Sequence, residues 1–142
     1  MVAIARDADA LDSLAQSAGG RVRALPSDLE RVEQLPGLAE RAVEAFGGVD
    51  GLVNCAGVAR YEAVGAITAD SVEAQLRVNL VAPLLLSQGV SEHMKQHGGA
   101  IVNVSSTLSE RVAHFTAVYA ASKAALNTLT RGLALELAPH GI

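Results

Sequence analysis

A tyrosine and a lysine stand one helical turn apart near the end of the chain, in the segment YAASK at residues 119–123. An apolar helical pattern continues from there, so Tyr119 and Lys123 are expected on one face of a helix. A free phenol, with a pKa near ~10, exchanges protons poorly at neutral pH, and a neighbouring ammonium group stabilises its phenolate form. The pair could therefore exchange a proton with a substrate oxygen. Taken alone, a helix-start aromatic beside a solvated charge remains the commoner interpretation.

Two further polar residues interrupt apolar surroundings. Ser106 ends the apolar run AIVNVSS, and Asn79 lies within RVNLVAPLLL. A serine at the end of a strand could hydrogen-bond a substrate oxygen and orient it, and no neighbouring histidine and aspartate would make it a nucleophile. The alternatives are that Ser106 only caps the strand end and that Asn79 is a hydrogen-bonded core amide.

Short β-rich runs alternate along the chain with longer helical patterns, which positions these residues. The strands are predicted at MVAIA, RVRALP, VDGLVN and AIVNVSS, and the helices at residues 7–18, about 30–46, 68–97 and about 115–138. This alternation implies right-handed crossovers and a parallel sheet with helices on both faces, a doubly wound, Rossmann-like α/β fold. The run AIVNVSS is expected to be buried on both faces of that sheet. Ligands of such folds bind beyond the carboxyl ends of the strands, where most of the polar candidates stand.

The composition narrows the class of protein. The chain has 142 residues, is 50% hydrophobic and 3% aromatic, and carries a formal net charge of -4. These values predict one globular domain over residues 1–142 and argue against nucleic acid or an anionic membrane as a partner. Cys55 is the only cysteine, so no intramolecular disulfide is possible, and a reducing, cytoplasmic location is expected. His93 and His97 share helical spacing without a third ligand, so no metal site is predicted.

Three motifs occur in an order that points to one family: NCAG at 54–57, NVSS at 103–106 and YAASK at 119–123. The chain resembles the short-chain dehydrogenase/reductase family over essentially its whole length, and Asn79 matches the helix asparagine of that family's catalytic tetrad. The resemblance implies an NAD(P)-dependent oxidoreductase that transfers a hydride between the cofactor and a carbonyl or alcohol substrate. Sugar, dicarbonyl and 3-oxoacyl reductases of the family are the types that it favours.

The same resemblance implies a role for each catalytic candidate. Tyr119 is expected to be the acid/base, and Ser106 is expected to orient the substrate oxygen. Lys123 would assist Tyr119 and bind the nicotinamide ribose, while the backbone at Asn79 would hold a water that relays protons. The cofactor-binding residues implied by the family motifs are Arg6, Asp28, Leu29, Asn54, Ala56, Gly57, Tyr119 and Lys123.

The residues after the first predicted strand favour NADP over NAD. An NAD enzyme of this type has an acidic residue there to bind the ribose hydroxyls, whereas a nearby arginine accommodates a 2′-phosphate. Here Ala5 takes the acidic position and Arg6 follows. Asp7 leaves an alternative open, because its carboxylate could pair with Arg6 or serve the ribose itself. Asp28 and Leu29 resemble the family's pair beside the adenine, although Asp28 is equally plausible as a helix N-terminal carboxylate.

The sequence departs from the family pattern in two ways. Cys55 replaces the second asparagine of the usual motif, and the chain begins after the family's first strand and its glycine-rich pyrophosphate turn. It also stops before the family's substrate lid, so we expect a fragment, a partial domain truncated at both ends. The missing strand would lie between MVAIA and VDGLVN, whose edges must then pair with each other or stay open.

The family resemblance also implies that the full-length protein forms oligomers. Family members pair through the helices that correspond to residues 68–97 and 115–138, so a homodimer or homotetramer is expected for the full-length form. The alternative to catalysis is a truncated, non-catalytic chain that acts only through this helix-pairing surface.

Overall fold

A computed structural model describes residues 1–142. Strands and helices alternate along the chain, as the sequence predicts. The strands are β1 (Val2–Ala5), β2 (Arg23–Pro26), β3 (Gly51–Asn54) and β4 (Ala100–Asn103), and the helices are α1 (Ala8–Ser17), α2 (Leu35–Glu44), α3 (Ala69–Leu76), α4 (Ala82–Met94) and α5 (Ala117–Leu137). Short 3-10 helices occur at Val32–Gln34, Thr107–Ser109 and Ala138–His140. The fold is a Rossmann-like α/β arrangement with parallel strands.

The four strands form two separate two-stranded parallel sheets. In the first, β1 pairs with β2 so that Ile4 lies opposite Leu25; in the second, β3 pairs with β4 so that Leu52 lies opposite Ile101. The strands β1 and β3 do not pair with each other. Of the two expected outcomes for these edges, the structure shows the open one.

A single apolar cluster joins the two sheets into one body. Its fully buried members come from α2 and α4: Leu35, Leu38, Ala39, Ala82, Leu86, Val90 and Met94. Strand residues pack against this cluster from all four strands, namely Ile4, Leu25, Leu52 and Ile101. Burying one leucine of this kind contributes about 1.5–3 kcal/mol, so the cluster is the main source of cohesion between the sheets. The helices approach closely, because a Cβ added at Gly89 would lie 2.6 Å from the Cβ of Ala39.

The prediction that the run at 100–106 is buried on both faces is wrong. Val102 is 51% exposed and Val104 is 41% exposed, and the regular strand ends at Asn103. Val53 on the neighbouring strand is 63% exposed. Side chains alternate across a strand, and the helices α2 and α4 cover only the face that carries Leu52 and Ile101. This part of the sheet is therefore buried on one face.

The predicted helix at 68–97 is continuous from Ala69 to Met94, with a π-helical turn at Arg77–Val81 between α3 and α4. The side chain of Thr68 caps its start by accepting a hydrogen bond from the backbone N–H of Ser71 at 3.2 Å. Single π turns inside α-helices occur frequently at functional sites, and this one contains Asn79. None of the helices is both long enough and apolar enough to span a lipid bilayer.

Candidate active site

The helix α5 presents Tyr119 and Lys123 together. The Nζ atom of Lys123 lies 6.0 Å from the centroid of the Tyr119 ring. Lys123 is only 3% exposed, and Nζ donates a hydrogen bond to the carbonyl oxygen of Val104 at 2.9 Å. Burial lowers the pKa of Lys123 from its ordinary value, and the neighbouring Cys55 thiol partly opposes this effect. A desolvated amino group therefore lies beside the aromatic ring of the predicted acid/base.

The side chain of Asn79 is fully occupied by hydrogen bonds within the protein. Its Oδ1 accepts from the backbone N–H of Val58 at 2.8 Å, and its Nδ2 donates to the Val58 carbonyl at 2.8 Å and to Ser122 Oγ at 3.0 Å. Ser122 Oγ in turn donates to the Tyr119 carbonyl at 2.7 Å. Asn79 thus ties the loop after β3 to the helix that carries Tyr119, and only its main chain is left for a proton relay.

Ser106 stands on the loop between β4 and α5. Its Oγ accepts a hydrogen bond from the backbone N–H of Leu108 at 3.2 Å and so caps the 3-10 helix at Thr107–Ser109. Ser106 therefore has a capping role, as one of the two interpretations of this residue proposed. A hydroxyl that accepts one hydrogen bond still has its own proton to donate, and Ser106 is half-buried. Capping and orienting a substrate oxygen are compatible roles for this residue.

A cleft of about 210 Å³ opens at the carboxyl ends of β1, β2 and β3. Its lining residues are Ile4, Ala5, Arg6, Ser27, Asp28, Leu29, Ala56, Gly57, Val58 and Val78. The structure thus brings together most of the predicted cofactor-binding residues that lie outside α5. The position agrees with the general rule that ligands of such sheets bind beyond the strand ends.

The two acidic side chains beside this cleft, Asp7 and Asp28, both accept hydrogen bonds from nearby backbone N–H groups. Asp7 Oδ1 accepts a hydrogen bond from the backbone N–H of Ala10 at 2.9 Å as the N-cap of α1. Arg6 is exposed and makes no ion pair or side-chain hydrogen bond, so it is not paired with Asp7. Asp28 Oδ1 accepts from the backbone N–H of Glu30 at 3.1 Å in a turn. It is not a helix N-terminal carboxylate, because the next helix begins only at Val32. The Arg6 guanidinium is the free charge at the rim of the cleft.

Asn54 does not line the cleft with its side chain. It is 8% exposed, and Nδ2 donates to Asn103 Oδ1 at 2.8 Å and to Ser87 Oγ at 3.4 Å. It stands two residues after Leu52 and therefore shares the inward face of β3. Its side chain joins the ends of β3 and β4, so any contact of Asn54 with a cofactor would use the main chain.

Sequence reasoning missed two features near the site. Phe115 has a φ of 65°, the only positive φ at a non-glycine residue, and its carbonyl accepts a hydrogen bond from the Glu62 N–H at 2.9 Å. Nothing in the sequence signals this, since phenylalanine has no preference for left-handed backbone. The second feature is a polar row of Ser71, Gln75 and Asn79 on one helix face, which their one-turn spacing could have revealed.

The residues present fit the adenosine side of a dinucleotide. The cleft supplies a free arginine at its rim and apolar walls, and it extends to Gly57. A Cβ at Gly57 would lie 3.4 Å from Asn79 Oδ1 and 3.5 Å from Lys123 Nζ, so a glycine keeps the space beside Lys123 open. No glycine-rich turn follows β1, because the chain passes from Ala5 through Arg6 and Asp7 directly into α1. The fit therefore covers the adenosine end of the dinucleotide, at the cleft, and the space beside Lys123, at Gly57.

Comparison with known proteins places this chain in a family. The family model described as short chain dehydrogenase matches residues 1–142. Human L-xylulose reductase is 39% identical over 144 residues, which cover 100% of this chain and 57% of that protein. The chain thus spans somewhat more than half the length of this curated relative.

Solved structures of short-chain oxidoreductases have the same fold as this chain, in agreement with the sequence match. A metagenomic short-chain oxidoreductase in complex with NADP superposes with a TM-score of 0.91 at 31% identity, covering 99% of this chain and 66% of that chain. The 3-ketoacyl-(acyl-carrier-protein) reductase from Brucella melitensis, complexed with NADH, gives a TM-score of 0.92 at 28% identity, covering 99% and 61%. With a family match over every residue and this agreement in fold, the chain belongs to the short-chain dehydrogenase family.

Proposed function

We propose that this chain carries the catalytic residues and the adenosine-binding side of an NADP-preferring reductase or alcohol dehydrogenase. The reaction is the transfer of a hydride between NADPH and a carbonyl or alcohol substrate, and the bound dinucleotide supplies or accepts that hydride. The observation that carries the proposal is the placement of Tyr119 beside the buried amino group of Lys123 on α5. Membership of the family makes oxidoreductase chemistry the natural use of this pair.

Tyr119 is the proton donor in the direction of reduction. A carbonyl oxygen that gains a hydride on its carbon becomes an alkoxide and needs a proton, which a positioned phenol can give. General acid catalysis of this kind contributes about 10²–10⁴-fold to a rate. Lys123 stabilises the phenolate that remains, and its hydrogen bond to Val104 holds the amino group in place. Ser106 donates its hydroxyl proton to the same substrate oxygen and orients it.

Reprotonation of Tyr119 needs a route for protons. Lys123 is buried, and the π turn containing Asn79 lies next to it. Because the Asn79 side chain is bonded to Val58 and Ser122, we assign the relay to the main chain of the π turn and to water held there. This assignment keeps the role that the family resemblance implies for Asn79.

The preference for NADP rests on Arg6. Related structures bind either NADP or NADH, so membership of the family does not decide between the two cofactors. Arg6 is unpaired at the rim of the cleft, whereas Asp7 is engaged in capping α1. A free guanidinium suits a 2′-phosphate, because it can form two parallel hydrogen bonds with the phosphate oxygens.

The substrate class and the assembly are proposed from the relatives and from exposed side chains. Similarity to an L-xylulose reductase and to a 3-ketoacyl-(acyl-carrier-protein) reductase supports a sugar, dicarbonyl or 3-oxoacyl substrate.

Leu84 on α4 is 36% exposed and Leu135 on α5 is 80% exposed, which supports a homodimer or homotetramer of the full-length protein through these helices. The exposed leucines equally favour the second candidate function, a non-catalytic chain that acts only in assembly. The single free cysteine supports a cytoplasmic location.

Titration of the chain with NADPH and NADH, followed by nicotinamide fluorescence, tests the proposal first. Saturable binding with a preference for NADPH is expected. A folded chain that binds neither dinucleotide would contradict the catalytic proposal and leave the assembly role. Where binding is found, Tyr119→Phe separates the two functions: turnover of a small dicarbonyl should fall by about 10²-fold or more, with dinucleotide affinity and melting temperature retained. Turnover equal to that of the unaltered chain would remove Tyr119 from the mechanism.

A further inference from the structure

The loop that follows β3 is hydrogen-bonded along one face of α3 and of the π turn that continues it. Asn79 is bonded to both backbone groups of Val58, at 2.8 Å each. One turn earlier, Gln75 Oε1 accepts from the backbone N–H of Arg60 at 3.2 Å. One turn earlier again, the Ser71 hydroxyl donates to a carboxylate oxygen of Glu62. Every second loop residue (58, 60, 62) is therefore bonded to a helix residue one turn earlier (79, 75, 71), so the loop runs extended and antiparallel to the helix.

The helix side of this polar ladder, formed by Ser71, Gln75 and Asn79, is buried. Ser71 is 1% exposed, and Gln75 and Asn79 are both 0% exposed. Gln75 Nε2 also donates to Ser71 Oγ at 3.5 Å, so neighbouring rungs are joined. A buried amide without partners is costly, and here each buried polar side chain has a partner. The ladder therefore holds the loop in one position.

One end of the loop lies against α5, the helix that carries Tyr119, and the other end is bonded to the segment just before α5. At the near end, Gly57 lies against Lys123, since a Cβ there would be 3.5 Å from Nζ. At the far end, the N–H of Glu62 donates to the carbonyl of Phe115 at 2.9 Å, just before α5 begins. Because the ladder holds the loop to α3, the position of α3 determines where Gly57 lies beside Lys123.

We propose that Gln75, together with Ser71, is a positioning residue that fixes the loop at 57–62 over the amino group of Lys123. The proposal rests on the function assigned to Lys123 above and deepens it. Gln75 makes no hydrogen bond to Tyr119 or Lys123 and acts through the backbone of Arg60 and the loop that leads back to Gly57. Loss of its acceptor frees the Arg60 N–H, loosens the loop and admits water to Lys123.

The consequence for Lys123 has a definite direction. Burial is what lowers the pKa of this amino group. Water that enters when the loop loosens stabilises the ammonium form, so the pKa of Lys123 moves back up towards its ordinary value. The amino group also becomes more accessible to reagents. Both effects exist without cofactor, substrate or turnover.

Gln75→Met is the main test, because methionine keeps the volume and length of the side chain and removes its acceptor. Gln88→Met is the matched control, since Gln88 is exposed on α4 and its side chain makes no hydrogen bond. A second pair acts from the loop side and avoids a buried substitution: Glu62→Ala removes the partner of Ser71, while Glu62→Gln keeps an acceptor for it. The second pair decides the question if Gln75→Met does not fold.

Two readouts follow the loop and the lysine separately. Amide hydrogen exchange at Arg60 should become about tenfold faster or more in Gln75→Met, because the loop then opens locally. Competitive acetylation across a range of pH, read by mass spectrometry, should show Lys123 titrating at a higher pH and reaching a faster limiting rate once it is deprotonated. Glu62→Ala should shift both readouts in the same direction, and Glu62→Gln and Gln88→Met should leave them unchanged.

A merely structural role gives a different pattern. In that case Gln75→Met lowers the melting temperature while Arg60 exchange and Lys123 acetylation match those of Gln88→Met, and the proposal is overturned. Equal effects of Glu62→Ala and Glu62→Gln on both readouts would overturn it as well. A chain that binds no dinucleotide would refute the proposed function, yet it would leave both readouts able to decide the role of the ladder.

Discussion

The backbone of Val104 connects Lys123 to the pairing of two strands. Its N–H donates to the carbonyl of Asn54 at 2.9 Å, which continues the ladder of β3 and β4 by one residue. Its carbonyl accepts from Lys123 Nζ, also at 2.9 Å. The position of the amino group is therefore set by the sheet as well as by the helix on which Lys123 stands. The amino group is held by a rigid partner rather than by a mobile side chain.

The burial of Lys123 predicts a pH dependence of stability. The pKa of Lys123 in the folded chain is lowered below its ordinary value of 10.5, mainly by burial. Between the lowered value and 10.5, the unfolded chain binds more protons, so the contribution of Lys123 to the free energy of unfolding rises with pH. At neutral pH the buried ammonium is a cost, which Lys123→Met removes.

Urea unfolding of the unaltered chain and of Lys123→Met at about pH 7 and about pH 10 checks this. The unfolding free energy of the unaltered chain minus that of Lys123→Met should increase between the two values of pH. All other titrating groups are common to both proteins, so they largely cancel in the difference. A difference that stays constant or falls with pH contradicts the burial of a titrating amino group.

Arg6 predicts the discrimination between the two dinucleotides. Arg6→Ala should weaken NADPH binding by about 10–100-fold and leave NADH binding nearly unchanged, because a charge-assisted hydrogen bond contributes about 1.5–3 kcal/mol. Arg41→Ala is the control, since Arg41 is exposed on α2 and its side chain makes no ion pair or hydrogen bond. Titrations of both variants with both cofactors are the measurement. An equal loss for NADPH and NADH would assign Arg6 a general electrostatic role instead.

The alternation of strands and helices was predictable because local signals dominate it. Glycine pairs end the helical segments at 17–20, 44–48 and 94–99, and the apolar runs between them have strand character. The approach of Tyr119 to Lys123 was predictable for the same reason, as it depends only on helical spacing. The meeting of β1, β2 and β3 at one cleft required only the rule for parallel sheets.

The remaining features depend on tertiary contacts that no local pattern encodes. Val102 belongs to an apolar run, and only the arrangement of the helices decides that its face of the sheet is uncovered. The inward direction of Asn54 follows from the strand register that places Leu52 against the core. The hydrogen bond of Ser106 to Leu108 and the left-handed backbone of Phe115 are properties of a loop whose course the sequence does not specify.

The crossing of α2 and α4 gives a test of the core. Gly89→Ala places a methyl group 2.6 Å from the Cβ of Ala39, which is 1% exposed and cannot move aside. The substitution should destabilise the chain by about 1–3 kcal/mol, although alanine is the better helix former. Gly132→Ala on α5 is the matched control, because a Cβ there meets nothing within 4 Å, and it should stabilise the chain by up to about 1 kcal/mol.

Pairing Gly89→Ala with Ala39→Gly separates the clash from helix propensity. In a double-mutant cycle measured by thermal or urea unfolding, the combination should recover about 1 kcal/mol or more relative to the sum of the single effects. A cycle that closes with no coupling would mean that the two helices do not meet at these positions.

The uncovered face of β3 and β4 predicts self-association of the isolated chain. Val53 and Val102 are adjacent on this face and mostly exposed, and the inner edge of β3 has no strand partner. An apolar face beside an unpaired strand edge is a surface on which two copies can pair.

Light scattering after gel filtration should therefore show a molecular mass that rises with protein concentration, and Val53→Lys combined with Val102→Lys should suppress the rise. Val112→Lys, at a loop valine that is 66% exposed, is the control and should leave the association intact. Association that persists in the double variant would contradict a contact through this face and favour the exposed leucines on α4 and α5, Leu84 and Leu135, which neither substitution changes.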